Sequence, residues 1–172
     1  CVSGRLEETI HPDATPNDDS DNPRSRNVYD KAGQLIEAVD EAGASTRHEY
    51  DAAGRRTKTT VTAAAGAAVT TTEYDSTGRR TALIDPLGQR TEFRYDAAGR
   101  LIETIADDGS STKREYDAVG RKTAEVNAAG ERTEYGYDKL GRLIEVRQFI
   151  DGRTLSTRYG FDEAGNKISQ TD

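Results

Sequence analysis

Polar and apolar side chains alternate at period two along short runs of this chain, and each run ends on an aromatic residue followed by Asp. Four residues before six of these aromatics, from Tyr50 onward, stand Thr46, Thr70, Thr91, Thr112, Thr133 and Thr157, and two before stand His48, Thr72, Phe93, Arg114, Tyr135 and Tyr159. The positions between are mostly Glu, Arg or Lys. Such alternation predicts a half-solvated antiparallel strand, with Thr and aromatic rings on one face and charges on the other. A second kind of run starts after the following Gly, as in Arg100 to Ile105. Its apolar residues Leu101, Ile102 and Ile105 do not share one parity, which predicts a bulge or strong twist in this outgoing strand.

The runs recur. Tyr29-Asp30, Tyr50-Asp51, Tyr74-Asp75, Tyr95-Asp96, Tyr116-Asp117, Tyr137-Asp138 and Phe161-Asp162 follow one another at intervals of 21, 24, 21, 21, 21 and 24 residues. Each is completed by a glycine, respectively Gly33, Gly54, Gly78, Gly99, Gly120, Gly141 and Gly165. A constant period of this size marks one small unit repeated, each copy unable to bury its apolar face without its neighbours. Within a copy the Asp is placed to cap a type I turn and the Gly to take positive φ, giving a four-residue hairpin loop with a bulge. One repeat is then two antiparallel strands and two turns.

All length variation falls between the Gly and the next aromatic. Ala63 to Ala68 lengthens one copy, and Asp151-Gly152 is a tight-turn pair closing another. His11 to Arg26 holds three prolines and the acidic run Asp18-Asp19-Ser20-Asp21, and is predicted to be a loop insertion in an array occupying residues 1–172. The fold class expected is all-β: antiparallel hairpin repeats in a continuous coiling strip of some fifteen strands. Gly4-Arg5-Leu6 aligns with Gly99-Arg100-Leu101, and the last strand stops at Asp172, so the array is expected to be cut in mid-repeat at both ends. Open edges near Leu6 and Ile168 would then recruit strands, within a longer chain or by end-to-end self-assembly.

Composition alone would argue otherwise, because 33% hydrophobic and 32% charged residues is a balance typical of disorder. The period-two interleaving is what rescues a folded sheet. A net charge of −7 offers no electrostatic footprint for nucleic acid, and no apolar run approaches the length of a membrane span. Cys1 is the single cysteine, so no internal disulfide forms.

Tyr95-Asp-Ala-Ala-Gly-Arg-Leu101, Tyr137-Asp-Lys-Leu-Gly-Arg-Leu143 and the Asp85-Pro86-Leu87-Gly88 turn resemble the YD repeats of the RHS family. The resemblance covers nearly the whole chain apart from residues 11–26. It implies a β-strip that spirals into a hollow shell, as in bacterial RHS proteins and insecticidal toxin complexes, where the shell encloses a C-terminal toxin polypeptide, and in the teneurin shells of cell-surface receptors. It also implies a secreted or cell-surface location, and wall-associated members suggest carbohydrate or another cell-surface ligand as an alternative partner.

Candidate chemistry is sparse. His48 sits where Phe93 and Tyr135 stand in other copies and reads as a face-filling ring, while His11 opens the proline-rich loop. No spacing matches a zinc site, the acidic run lacks the Gly and Glu of a calcium loop, and no cofactor is expected. The Asp residues are too regular for a unique catalytic site, so the chain reads as a non-enzymatic structural protein. Arg55, Arg79, Arg100, Arg121 and Arg142 follow the turn glycines and form a row if the copies stack. Cross-strand acids such as Glu103 and Glu145 are expected to pair with them.

Overall fold

A computed structural model describes residues 5–10 and 24–172. The described residues form fifteen strands and no helix, and within each unit the strands lie in chain order. The chain divides into two compact units, Cys1–Arg90 and Thr91–Asp172. The first contains β1 (Leu6–Ile10), β2 (Arg24–Tyr29), β3 (Leu35–Val39), β4 (Ser45–Tyr50), β5 (Arg56–Ala63), β6 (Gly66–Tyr74) and β7 (Arg80–Ile84). Strand β8 (Arg90–Tyr95) begins at the division. The second unit continues with β9 (Leu101–Ile105), β10 (Ser111–Tyr116), β11 (Lys122–Val126), β12 (Arg132–Tyr137), β13 (Leu143–Ile150), β14 (Arg153–Phe161) and β15 (Lys167–Thr171).

The turns form for the reasons their residues suggest. At Asp96 the main-chain N–H of Gly99 donates to the Asp96 carbonyl at 3.0 Å, and the Asp96 N–H donates across the loop to Arg100 O at 3.0 Å. Asp96 Oδ1 accepts the N–H groups of Ala98 and Arg100, both at 2.9 Å. Gly99 takes φ +80°, a region costly for any side chain with a Cβ. The opposite turns at Asp40, Asp85 and Asn127 have the same pair of main-chain bonds.

The irregular outgoing strand is explained by one bulge per repeat. In the second unit Arg94 faces Glu103 while Tyr95 faces Leu101, so Ile102 is the extra residue. Thr123, Ile144 and Ile168 occupy the same place in later copies, and Ile36, Thr57 and Thr81 in the first unit. Residues before and after the bulge fall on opposite phases, which is why Ile102 and Ile105 break parity.

The lengthened copies grow strands rather than loops. β5 and β6 have 8 and 9 residues against 5 and 6 in an unlengthened pair such as β9 and β10. They close through Ala64-Ala65, with Ala63 opposite Gly66. β13 and β14 do the same through Asp151 at φ +49° and Gly152 at φ +72°, the pair of positive φ values a type I′ turn requires. The predicted loop over residues 11–26 is corrected at its end, since Arg24, Ser25 and Arg26 pair in β2 with Ile10, Thr9 and Glu8. Its remainder, 11–23, lies outside the described residues, as does Cys1.

Very little of either unit is a core. Among the described residues only Ala82 and Ala124 are fully buried hydrophobics, and most strand positions keep partial access to solvent. Stability must therefore come from strand pairing and from contacts made along the sheet.

Replacing Gly99 by Val should destabilise the second unit by about 2 kcal/mol or more, because left-handed backbone is expensive for an L residue and worst for a β-branched one. Gly99→Asn should cost clearly less. Thermal unfolding of the two variants checks the order, and equal melting temperatures for Val and parent would refute the turn geometry.

Candidate functional site

Where Arg follows the turn Gly, as at Arg55, Arg100, Arg121 and Arg142, it joins the repeated aromatic, Asp and Gly residues in one device that links its copy to the next. Arg100 shows it in full. Its Nε donates to Oδ2 of its own turn Asp96 at 2.6 Å, while Oδ1 of the same carboxylate is occupied capping the turn. Its Nη1 donates to the main-chain carbonyl of Asp117, one repeat on, at 2.9 Å. Its guanidinium carbon lies 4.9 Å from the centre of the Tyr116 ring. The Tyr116 hydroxyl then donates back to Leu101 O, the carbonyl next to Arg100, at 3.1 Å.

The pattern repeats with small scatter. Arg55 bonds Asp51 and stacks 4.8 Å from Tyr74, and Arg121 bonds Asp117 and stacks 4.8 Å from Tyr137. Arg142 bonds Asp138 and stacks 4.8 Å from Phe161. The hydroxyls of Tyr50, Tyr74 and Tyr137 donate to Leu35, Arg56 and Lys122 carbonyls at 2.8, 3.0 and 2.8 Å. Phe161 keeps the stacked ring without the hydroxyl. A planar guanidinium suits this place because it offers donors in its plane and a flat face to the ring at once.

The expected partners of these arginines are corrected. Glu103 pairs with Arg94 at 3.0 Å and Lys113 at 3.5 Å, and Glu145 with Arg158 at 3.0 Å and Arg147 at 3.6 Å. The Asp four residues earlier outcompetes them because the turn already holds its carboxylate beside the Arg side chain.

Ion pairs of a second kind lie along the same row as these glutamates. Glu37 is flanked by Arg26 and Arg47 on the two neighbouring strands, at 3.2 and 2.8 Å. Where the central residue is Ala, the pairing jumps a strand. Arg90 makes two bonds to Glu73, at 2.7 and 2.8 Å, and Arg132 makes two to Glu115 at the same distances. Ala82 and Ala124 occupy the intervening strands and are covered, which accounts for their burial. A larger side chain there would obstruct the bridge. The sequence carried a signal for this in the joint appearance of Ala, a preceding Glu and a following Arg in the same two copies.

These contacts depress the acids. The Arg55 guanidinium holds Asp51 below the usual carboxylate range, and Arg142 does the same to Asp138. For Asp96 the Arg100 main-chain N–H leads, helped by its guanidinium. Asp117 pays a desolvation cost first, yet Arg121 outweighs it and the net shift is downward. Asp75 is lowered furthest, with the Thr77 hydroxyl as the largest cause ahead of Arg79. His48 faces Thr59, with Nδ1 3.1 Å from its hydroxyl, and burial followed by the charge of Arg56 lowers its pKa.

One shallow cleft of about 450 Å³ opens in the second unit, lined by residues including Arg100, Glu103, Lys113 and Tyr116. These same groups serve the links just described. Among the described residues no group of three His, Cys, Asp or Glu could hold a metal ion.

Comparison with known proteins gives a consistent answer. The RHS Repeat family matches residues 29–68, 74–112 and 116–149. No curated protein matches the chain. Among solved structures, that of TcdB2-TccC3-Cdc42 is similar over 97% of this chain and 10% of its own, with TM-score 0.69 and 18% identity. That of TcdB2-TccC3 without its hypervariable C-terminal region is similar over 96% of this chain and 10% of its own, with TM-score 0.67 and 19% identity. The Photorhabdus luminescens Tc holotoxin pore is similar over 96% of this chain and 10% of its own, with TM-score 0.65 and 20% identity. The chain spans about a tenth of the length of each, and at these identities the likeness is one of fold.

Two measurements test the linking device. Tyr116→Phe should cost about 1 kcal/mol, the usual worth of one such hydrogen bond, while Tyr116→Ala should cost several times more by removing the stacked ring. Chemical denaturation of both variants separates hydroxyl from ring, and a Phe variant as unstable as the Ala variant would be inconsistent with this division. For pH the sign is set by the depressed aspartates. Their folded values lie below the unfolded value of about 3.9, so the stability they contribute is present above that pH and lost as pH falls through the folded values. The lowered pKa of His48 adds a small loss as pH falls below about 6.5, and the main decline in denaturation midpoints should begin at about pH 4; midpoints that rise below that point would contradict the assignment.

Proposed function

This chain belongs to the RHS repeat family, and from that premise we propose that it is a non-enzymatic wall segment of an RHS-type β-shell that encloses a partner or C-terminal toxin polypeptide. The observation that carries the reading is the near absence of a core. Apart from Ala82 and Ala124, the described hydrophobic residues keep at least partial access to solvent, and the elaborate contacts run laterally from copy to copy. A sheet held along its length by repeated side-chain links serves as a barrier. The repeated residues are consumed by those links, which leaves them poorly suited to act on a substrate.

The likeness to TccC3-containing structures supports the same direction, since a bacterial toxin complex is a setting in which such a wall would be secreted. Limited proteolysis of the full gene product that contains this segment tests the enclosure. A polypeptide following the repeats should resist protease while the repeats are folded and become cleavable once they are denatured. Cleavage at equal rates in both states would overturn enclosure, and selective capture of one sugar on a glycan array would then favour a carbohydrate-binding wall module.

A further inference from the structure

Three hairpins of this sheet have equally short ladders but unequal side-chain bridges. The paired residues are Glu37↔Arg47, Ala38↔Thr46 and Val39↔Ser45 between β3 and β4, and Glu103↔Lys113, Thr104↔Thr112 and Ile105↔Ser111 between β9 and β10. Between β11 and β12 they run from Ala124↔Glu134 to Val126↔Arg132. Each ladder thus stops short of the Tyr-Asp side, where side chains take over. In β9–β10 the bridge is Arg100, bonded to Asp96 Oδ2 and Asp117 O and stacked on Tyr116, together with the Tyr116 hydroxyl on Leu101 O. Arg121 and Tyr137 bridge β11–β12 in the same way.

The β3–β4 hairpin carries a weaker bridge. Gln34 stands where Arg100 and Arg121 stand, and its Nε2 donates to Gly54 O at 3.1 Å. It fills the place of the arginine Nη1: a Cβ at Gly54 would lie 3.2 Å from Gln34 Nε2, as Cβ atoms at Gly120 and Gly141 would lie 3.8 and 3.6 Å from Nη1 of Arg100 and Arg121. It brings no charge and no flat cation. Among the described residues no cation stacks on Tyr50, whose hydroxyl still donates to Leu35 O at 2.8 Å. Two neutral hydrogen bonds therefore do the work that a charged pair, a stacked guanidinium and a hydroxyl do elsewhere. Glu37 adds an ion pair to Arg47 at 2.8 Å, and Glu103 adds one to Lys113 at 3.5 Å, but both involve exposed cations and contribute little. The far end of the β3–β4 hairpin is firmly closed. There Asp40 N–H donates to Ala44 O at 2.9 Å, Gly43 N–H donates to Asp40 O at 3.0 Å, and Asp40 Oδ1 accepts the Ala44 N–H at 2.9 Å.

We propose that the β3–β4 hairpin is a seam in the sheet, which opens from its Tyr-Asp side about the Asp40 turn while the hairpins bridged by arginine stay closed. A charge-assisted hydrogen bond is about twice as strong as a neutral one, and the stacked cation adds to it, so the open state should be roughly tenfold more populated at β3–β4 than at β9–β10. The seam goes beyond the wall reading, because it marks where the sheet parts whether or not a partner is enclosed.

The test is amide hydrogen exchange of the whole chain, followed by NMR under conditions where the rate reports the open fraction. Amides bonded across β3–β4 should exchange roughly tenfold faster than those bonded across β9–β10. Gln34→Arg should slow the β3–β4 amides towards the β9–β10 rate and leave β9–β10 unchanged. Arg100→Gln should do the converse, speeding β9–β10 towards the rate of β3–β4. Fraying from the first strand, by contrast, would be insensitive to Gln34→Arg. Because that variant adds a link, the test stays readable even where Arg100→Gln fails to fold. Equal exchange across the two hairpins in the parent, or β3–β4 exchange that Gln34→Arg does not slow, refutes the seam.

Discussion

The guanidinium stacked on the next copy's aromatic ring is the contact on which this sheet depends. Strand pairing alone would join the copies, but main-chain ladders are indifferent to sequence and permit slippage where both faces are polar. The Arg link removes that freedom. It fastens one turn to the following turn's carbonyl and ring, at Arg100 with Asp117 and Tyr116 and again at Arg121 with Tyr137, so only one register satisfies all the donors. A structure with two fully buried hydrophobic residues among those described needs such specification from polar and aromatic groups.

Economy of atoms explains why the motif is fixed as a block. The Asp carboxylate divides its two oxygens between its own turn and the Arg, and the Arg divides its donors between that carboxylate and the next turn. Replacing the Asp would leave the Arg without its carboxylate, whereas Asn166 still satisfies both oxygens of Asp162 but brings no guanidinium to stack on a ring. The tyrosine closes the circuit through its hydroxyl, and Phe161 shows that the ring alone sustains the stack. Charge complementarity elsewhere is looser. Glu37, Glu103 and Glu145 accept different combinations of Arg and Lys, and two copies substitute a bridge over Ala.

Much of the fold was legible because it rests on local rules. Asp and Gly at fixed offsets announce a turn, alternation announces the return strand, and broken parity at Ile102 announces the bulge. The function of the Arg row was not legible in the same way. From sequence, Arg100 is nearer to Glu103 than to Asp96, and only the curl of the turn brings the Asp oxygen to 2.6 Å. The ring it stacks on lies sixteen residues away and becomes a neighbour only through the hairpin between. The strand beginning at Arg24 was hidden for a different reason, since three prolines nearby made the whole stretch read as loop.

The same link accounts for where the chain tolerates extra length. Arg100 and Tyr116 are sixteen residues apart, whereas Arg55 and Tyr74 are nineteen, yet the guanidinium meets the ring at 4.9 and 4.8 Å. This works because the added residues lie beyond both ends of the contact, in the far part of the hairpin. Lengthening both strands and shortening the connection between them from five residues, as in 106–110, to two leaves the register near Tyr74 unchanged. An insertion between the aromatic and the Arg would have no such escape. It would carry the carboxylate away from the guanidinium and the guanidinium away from the ring, which is the physical reason that variation gathers at one edge of the hairpins and the Tyr-Asp-Gly-Arg side stays constant.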